Sequence, residues 1–99
     1  MITTEKIQKQ CDLLADLLKR KNEDYGDSFS ERPYLLPNIT TNTSAYIRLS
    51  DKFHRLRTLL NIEEPDRKVD ETIEDTLRDI AGYCLLLLAD CGKEGAREE

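Results

Sequence analysis

Ninety-nine residues with a net charge of −5 make one small domain with room for one modest core. Twenty acidic against fifteen basic side chains argue against broad binding to nucleic acid, which needs a basic surface, and no sequence-specific DNA contact is expected; a single nucleotide is not excluded. The longest apolar run, Tyr83 to Ala89, falls well short of the ~18–20 residues of a membrane span.

The first predicted helix runs from about Thr4 to Asn22. Ile7, Cys11, Leu14 and Leu18 recur at helical spacing, and Leu13 and Leu17 widen the stripe. Glu5 suits the first turn, and Lys19, Arg20 and Lys21 suit the last. The opening Met1-Ile-Thr-Thr-Glu-Lys6 lacks the basic-then-apolar order of a signal peptide. Residues 23–42 show no helical period and hold Gly26, Pro33 and Pro37. Tyr25, Phe29, Pro33 and Tyr34 give this long connection something to pack with, so an ordered loop is expected.

The second helix is expected from Thr43 or Ser44 to Asn61, with Asn42, Thr43 or Ser44 as its cap. Its apolar stripe is Tyr46, Leu49, Phe53, Leu56 and Leu60; its other side carries Arg48, Asp51, Lys52 and Arg55. After a break at Pro65, the third helix is expected from about Val69 to Cys91, with Gly92 ending it and a charged tail over 93–99. Its second half, Ile80 to Ala89, is apolar nearly all round, the pattern of a buried helix.

These elements predict an all-α fold: three main helices in an antiparallel bundle forming a single domain over 1–92. Three helices leave the apolar end of the third half-covered, so a homo-oligomer, a dimer or higher, is expected to complete the bundle. Cys11, Cys84 and Cys91 are odd in number, lack CxxC spacing and lie on apolar stripes. They read as buried, reduced thiols of a cytoplasmic protein.

Glu71, Asp75 and Asp79 stand four residues apart, an acidic ladder on one helical face. Like charges at this spacing repel by roughly 0.2–0.5 kcal/mol per pair, so the ladder favours a positive partner. Carboxylates one turn apart can share Mg²⁺, and Mg²⁺ often bridges carboxylates and phosphates. Arg48, Lys52 and Arg55 could clamp the phosphates. They could equally neutralise the ladder, with both features purely structural. Lys21-Asn-Glu-Asp-Tyr-Gly26 reads plainly as a helix stop; as a site it offers Asp24 for a metal or a base edge and Tyr25 for stacking. His54, alone beside Phe53, reads as structural.

Three blocks, Lys21-Asn-x-Asp-Tyr-Gly26, Arg48-x-x-Asp-Lys-x-x-Arg-Leu56 and Asp70-Glu-x-Ile-x-Asp-Thr-Leu-x-Asp-x-Ala-x-Tyr83, resemble in this order the phage and bacterial family known as nucleotide modification associated domain 1. That family is more distantly similar to the MazG-like all-α nucleoside triphosphate pyrophosphohydrolases. The resemblance implies a nucleotide ligand, held by Lys21, Asp24, Tyr25, Arg48, Lys52 and Arg55. It implies Mg²⁺ held by Glu71, Asp75 and Asp79, catalysis by Glu71 and Asp75, and location in the host cytoplasm if phage-encoded. The chain lacks the Glu-x-x-Glu pair that MazG-like enzymes carry on an earlier helix. Asp12 and Asp16 have a different spacing, and Asp51 stands alone on the second helix. Three functions follow: a Mg²⁺-dependent pyrophosphohydrolase acting on normal or modified nucleotides, a non-catalytic binder that sequesters or delivers a modified or signalling nucleotide, or a helical interaction module.

Overall fold

The structure is a computed structural model that describes residues 1–26, 28–63 and 72–92, with backbone alone for Tyr25, Ser28, Cys91 and Gly92. Its α-helices are α1 (Thr4–Tyr25), α2 (Thr41–Leu60) and α3 (Ile73–Gly92), with a short 3-10 turn at Ser28–Ser30. No strand occurs among the described residues, and the fold is all-α. No described helix is long and apolar enough to cross a membrane. The chain divides into two compact units, Met1–Glu31 and Arg32–Glu99.

The first unit is built on α1. Thr3 caps it, its hydroxyl accepting the Lys6 N–H at 3.2 Å, and Glu5 complements the dipole. The helix continues to Tyr25, one turn beyond the expected stop near Asn22. Lys19, Arg20 and Lys21 therefore precede the last turn, which carries no base. Arg20 pairs with Asp16 one turn back at 3.1 Å. Gly26 ends the helix at φ 71° and ψ −172°, a conformation that only glycine adopts without strain.

The second unit opens on a hydrogen-bonded connection. The Leu36 N–H donates to the Pro33 carbonyl at 3.3 Å and the Ile39 N–H to the Leu36 carbonyl at 3.1 Å. The Arg32 guanidinium reaches the Pro37 carbonyl at 3.1 Å. Tyr34, which the sequence offers as a packing group of this connection, is fully exposed, as is Leu35. The cap of α2 is Thr40, not residues 42–44: its hydroxyl accepts the Thr43 N–H at 3.1 Å and donates to the Thr43 hydroxyl at 3.0 Å. Ser44, a candidate cap from sequence, lies inside the helix and is buried.

Helices α2 and α3 pack on each other. Lys52 lies eight residues before the end of α2 and Asp79 six after the start of α3, and their side chains meet at 3.1 Å. Both therefore lie about 9–12 Å from the connected helix ends, as in an antiparallel hairpin. The buried positions of the two helices are small: Ser44 and Ala45 on α2, Thr76 and Gly82 on α3, with Thr76 completely covered.

The line along which the helices meet shares only part of the apolar stripe read in the sequence. The covered positions of α2 run Ala45, Arg48/Leu49, Lys52, Leu56 and Leu59, while Tyr46, Phe53 and Leu60 are more than half exposed. On α3 the covered positions include Ile73, Thr76, Asp79/Ile80, Tyr83 and Leu86/Leu87. The second half of α3 is thus not buried all round: Leu85 and Leu88 are 44% and 67% exposed. The thiols of Cys11 and Cys84 are exposed rather than buried; Cys84 faces away from the contact line between α2 and α3.

Candidate functional site

At about 100° per residue, the side chains next to the contact line fall on two flanks of each helix. On α2, Arg48 and Arg55 fall to one side of Lys52, and Leu49, Phe53 and Leu60 to the other. On α3, Asp75 and Asp79 fall to one side of Thr76, and Leu77 and Cys84 to the other. An antiparallel pair sets like flanks side by side, and the Lys52–Asp79 contact shows that the charged flanks meet. The hairpin therefore has one charged flank and one apolar flank.

The charged flank centres on Lys52 and Asp79. The Lys52 Nζ lies 3.1 Å from the Asp79 Oδ2, with the side chains 21% and 26% exposed. This is a half-buried ion pair bridging two helices, better shielded than an ordinary surface pair. Arg48 stands one turn before Lys52 and is half-buried; Arg55 stands one turn after and is more exposed. Three cations thus follow one stripe of α2.

Asp75 serves the N-terminus of α3. The Thr72 carbonyl accepts the first helical bond, from the Thr76 N–H at 3.2 Å, which makes Thr72 the cap. The Thr72 hydroxyl accepts the Asp75 N–H at 2.9 Å, and the Asp75 Oδ2 accepts the Thr72 N–H at 3.3 Å. This reciprocal pair is a capping box with aspartate in the acidic position. The Asp75 Oδ1 also receives Arg78 at 3.5 Å. The Thr72 side chain and then its backbone N–H, with a smaller contribution from Arg78, hold the Asp75 carboxyl below its ordinary value of 3.8. The pattern Thr72-x-x-Asp75 was visible in the sequence and identifies Thr72 as a functional position of the fold that the ladder reading passed over.

The predicted site residues separate as follows. Asp79 and Lys52 meet each other, while Asp75 meets Thr72 and Arg78. Glu71 lies outside the described residues. Lys21, Asp24 and the backbone of Tyr25 lie in the last two turns of α1, in the first unit rather than in a loop. A resident Mg²⁺ needs several oxygen donors, two or more of them carboxylates where no substrate shares the ion. Both oxygens of Asp75 already accept hydrogen bonds, and Asp79 pairs with a lysine. Among the described residues, no three His, Cys, Asp or Glu side chains come together to hold a metal ion. Of the three carboxylates expected to hold Mg²⁺, the structure describes Asp75 and Asp79, each held by a partner of its own.

Fold and flank together define an all-α protein whose helical hairpin sets a cationic stripe against an acidic edge. Residues 21–90 match the pattern of nucleotide modification associated domain 1, and the chain belongs to that family. The matched span takes in all three sequence blocks and leaves the first five turns of α1 outside it. No curated protein and no solved structure matches the chain.

Proposed function

We propose that the chain binds a nucleotide by its phosphates on the charged flank of the α2–α3 hairpin and releases it chemically unchanged. The observation that carries this reading is the half-buried Lys52, aligned with Arg48 and Arg55 along α2. A lysine in that position gives a phosphate a partly desolvated point charge, and the arginines give planar forks for its oxygens. In the ligand-free chain Asp79 holds the Lys52 ammonium; a phosphate, carrying more charge, takes its place. Membership of a family named for nucleotide modification supports a nucleotide as the anion. Hydrolysis is not part of the proposal, because Asp75 and Asp79 are engaged by Thr72, Arg78 and Lys52.

Titration calorimetry with a panel of nucleoside mono-, di- and triphosphates, with and without Mg²⁺, tests the proposal. Saturable binding is expected, weakened at least tenfold by Lys52→Met, with the nucleotide recovered intact. Absence of binding by folded protein at micromolar concentration refutes it. Cleavage to monophosphate and pyrophosphate would instead establish the Mg²⁺-dependent pyrophosphohydrolase that the wider resemblance implies.

The engagement of both described carboxylates favours a second reading, in which the charged flank only joins two helices of an interaction module. That reading requires Lys52→Met to lower stability while no nucleotide binds the wild type.

A further inference from the structure

The charged flank carries an aromatic side chain at one end. Asp79 meets Lys52 at 3.1 Å, and Tyr83 stands one turn further along α3, on the same face and half-buried. In an antiparallel hairpin, one turn onward in α3 lies level with one turn back in α2. That position is Arg48, also half-buried. Arg48 and Tyr83 therefore stand together at the end of the stripe away from Arg55.

The two groups share a second property. Lys52 is held by Asp79, and Arg55 has an interaction of its own. Among the described residues, neither the Arg48 guanidinium nor the Tyr83 hydroxyl forms a hydrogen bond or ion pair. Partial burial already restricts both side chains, so less freedom is lost when a ligand settles on them.

The other aromatic groups lie elsewhere. The second unit also holds Tyr34, Tyr46 and Phe53. Tyr34 is fully exposed in the connection, while Tyr46 and Phe53 fall on the apolar flank, opposite the cations. Tyr25, the stacking group expected from the sequence, belongs to the first unit. Tyr83 is thus the aromatic side chain of the second unit that neighbours the Lys52–Asp79 pair.

A nucleotide differs from other phosphate-bearing ligands by its base, and every base has a flat π face on which an aromatic ring can stack. Asp79 and Tyr83 are separated by a rise of about 6 Å, the span of one sugar between a phosphate and its base. A phosphate that takes the place of Asp79 at Lys52 therefore brings its base to the ring of Tyr83. Arg48, at the same level, offers its fork to the phosphate nearest the sugar.

Resting on the reading that phosphates bind at Lys52, we propose that Tyr83 stacks on the base of the bound nucleotide, so that the site selects nucleotides over other polyphosphates. Calorimetry with the common ribo- and deoxyribonucleoside triphosphates and with inorganic tripolyphosphate tests it, on the full chain and on its Tyr83→Leu and Tyr83→Phe variants. Wild type should bind at least one of the nucleotides about tenfold or more above tripolyphosphate, the usual worth of one base on one ring. Tyr83→Leu should remove that margin and leave tripolyphosphate binding unchanged; Tyr83→Phe should keep the margin. Tyrosine fluorescence decides even if the leucine variant fails to fold: the preferred nucleotide should quench it, tripolyphosphate should not, and the quench should be absent from Tyr83→Phe. No nucleotide bound more tightly than tripolyphosphate, a margin that survives in folded Tyr83→Leu, or a quench that survives in Tyr83→Phe overturns the proposal and leaves phosphate binding at Lys52 standing. Binding of neither kind of ligand by folded wild type overturns both.

Discussion

The Lys52–Asp79 pair can be weighed by a double-mutant cycle with Lys52→Met, Asp79→Asn and the two combined. At 3.1 Å, two unit charges attract by about 1.3 kcal/mol in water and about 5 kcal/mol at an effective dielectric constant of 20. With 21% and 26% of the side chains still exposed, the pair lies between these limits. It also loses hydration and side-chain freedom on forming. A net coupling of about 1–2 kcal/mol is expected, above the 0.2–1 kcal/mol of exposed pairs and below the 3–5 kcal/mol cost of breaking a fully buried one. Each kcal/mol corresponds to about 4–8 °C in melting temperature for a domain of this size. Urea unfolding followed by circular dichroism measures the four stabilities. The double variant should be less destabilised than the sum of the singles by the coupling energy. Raising salt to about 1 M, where the Debye length is near 3 Å, should reduce that difference without abolishing it. A coupling below about 0.3 kcal/mol, the ordinary scatter of independent sites, refutes the claim that this contact holds α3 on α2.

Three further outcomes follow from local geometry. Thr72→Ala removes the cap of α3 and should cost about 1 kcal/mol in unfolding free energy, while Thr72→Ser should restore most of it. Asp75 has a lowered carboxyl pKa in the folded chain, so its contribution is present above the ordinary value of 3.8 and is lost as pH falls through the lowered folded value; the gap in melting temperature between wild type and Asp75→Asn should close over that acid range and stay constant near neutrality. Gly26→Ala meets no atom within 4 Å but must adopt φ 71°, so it should destabilise the end of α1 by about 1–3 kcal/mol, read from the loss of amide-exchange protection in the last turn of that helix.

Helix existence was legible because it rests on local signals. The stripes of Ile7 to Leu18, Tyr46 to Leu60 and Ile73 to Leu87 have helical period, and Gly26 carries a stop signal that the structure uses. The phase of packing was legible in part. Leu49 and Leu56 of the α2 stripe are half-covered, whereas Tyr46, Phe53 and Leu60 are more than half exposed and the cover extends to Ala45, Arg48, Lys52 and Leu59, toward the charged side. Periodicity records which side of a helix is apolar; it does not record the rotation at which two helices meet. The local partners of the candidate carboxylates were not legible from spacing either. Asp75 and Asp79 share a face by spacing, but the cap at Thr72 draws one carboxylate to the start of the helix and the hairpin draws the other to Lys52. An identical i,i+4 pattern thus served two unrelated local needs.

The rotation between apolar stripe and contact line also sets the worth of the cation. Had α2 packed on α3 through Phe53 and Leu60, the large apolar groups would fill the hairpin, and Arg48, Lys52 and Arg55 would face solvent as an ordinary charged surface. The observed phase instead draws Lys52 toward the seam, where a charge is worth more to a phosphate, and leaves Phe53 and Leu77 about half exposed. Enlarging the buried Ala45 to leucine should overpack α2, at a cost of about 1–3 kcal/mol, and disturb this phase. Dependence of the charged site on the phase requires that this one change also weaken nucleotide binding; a destabilised variant that binds as tightly as wild type would separate the two.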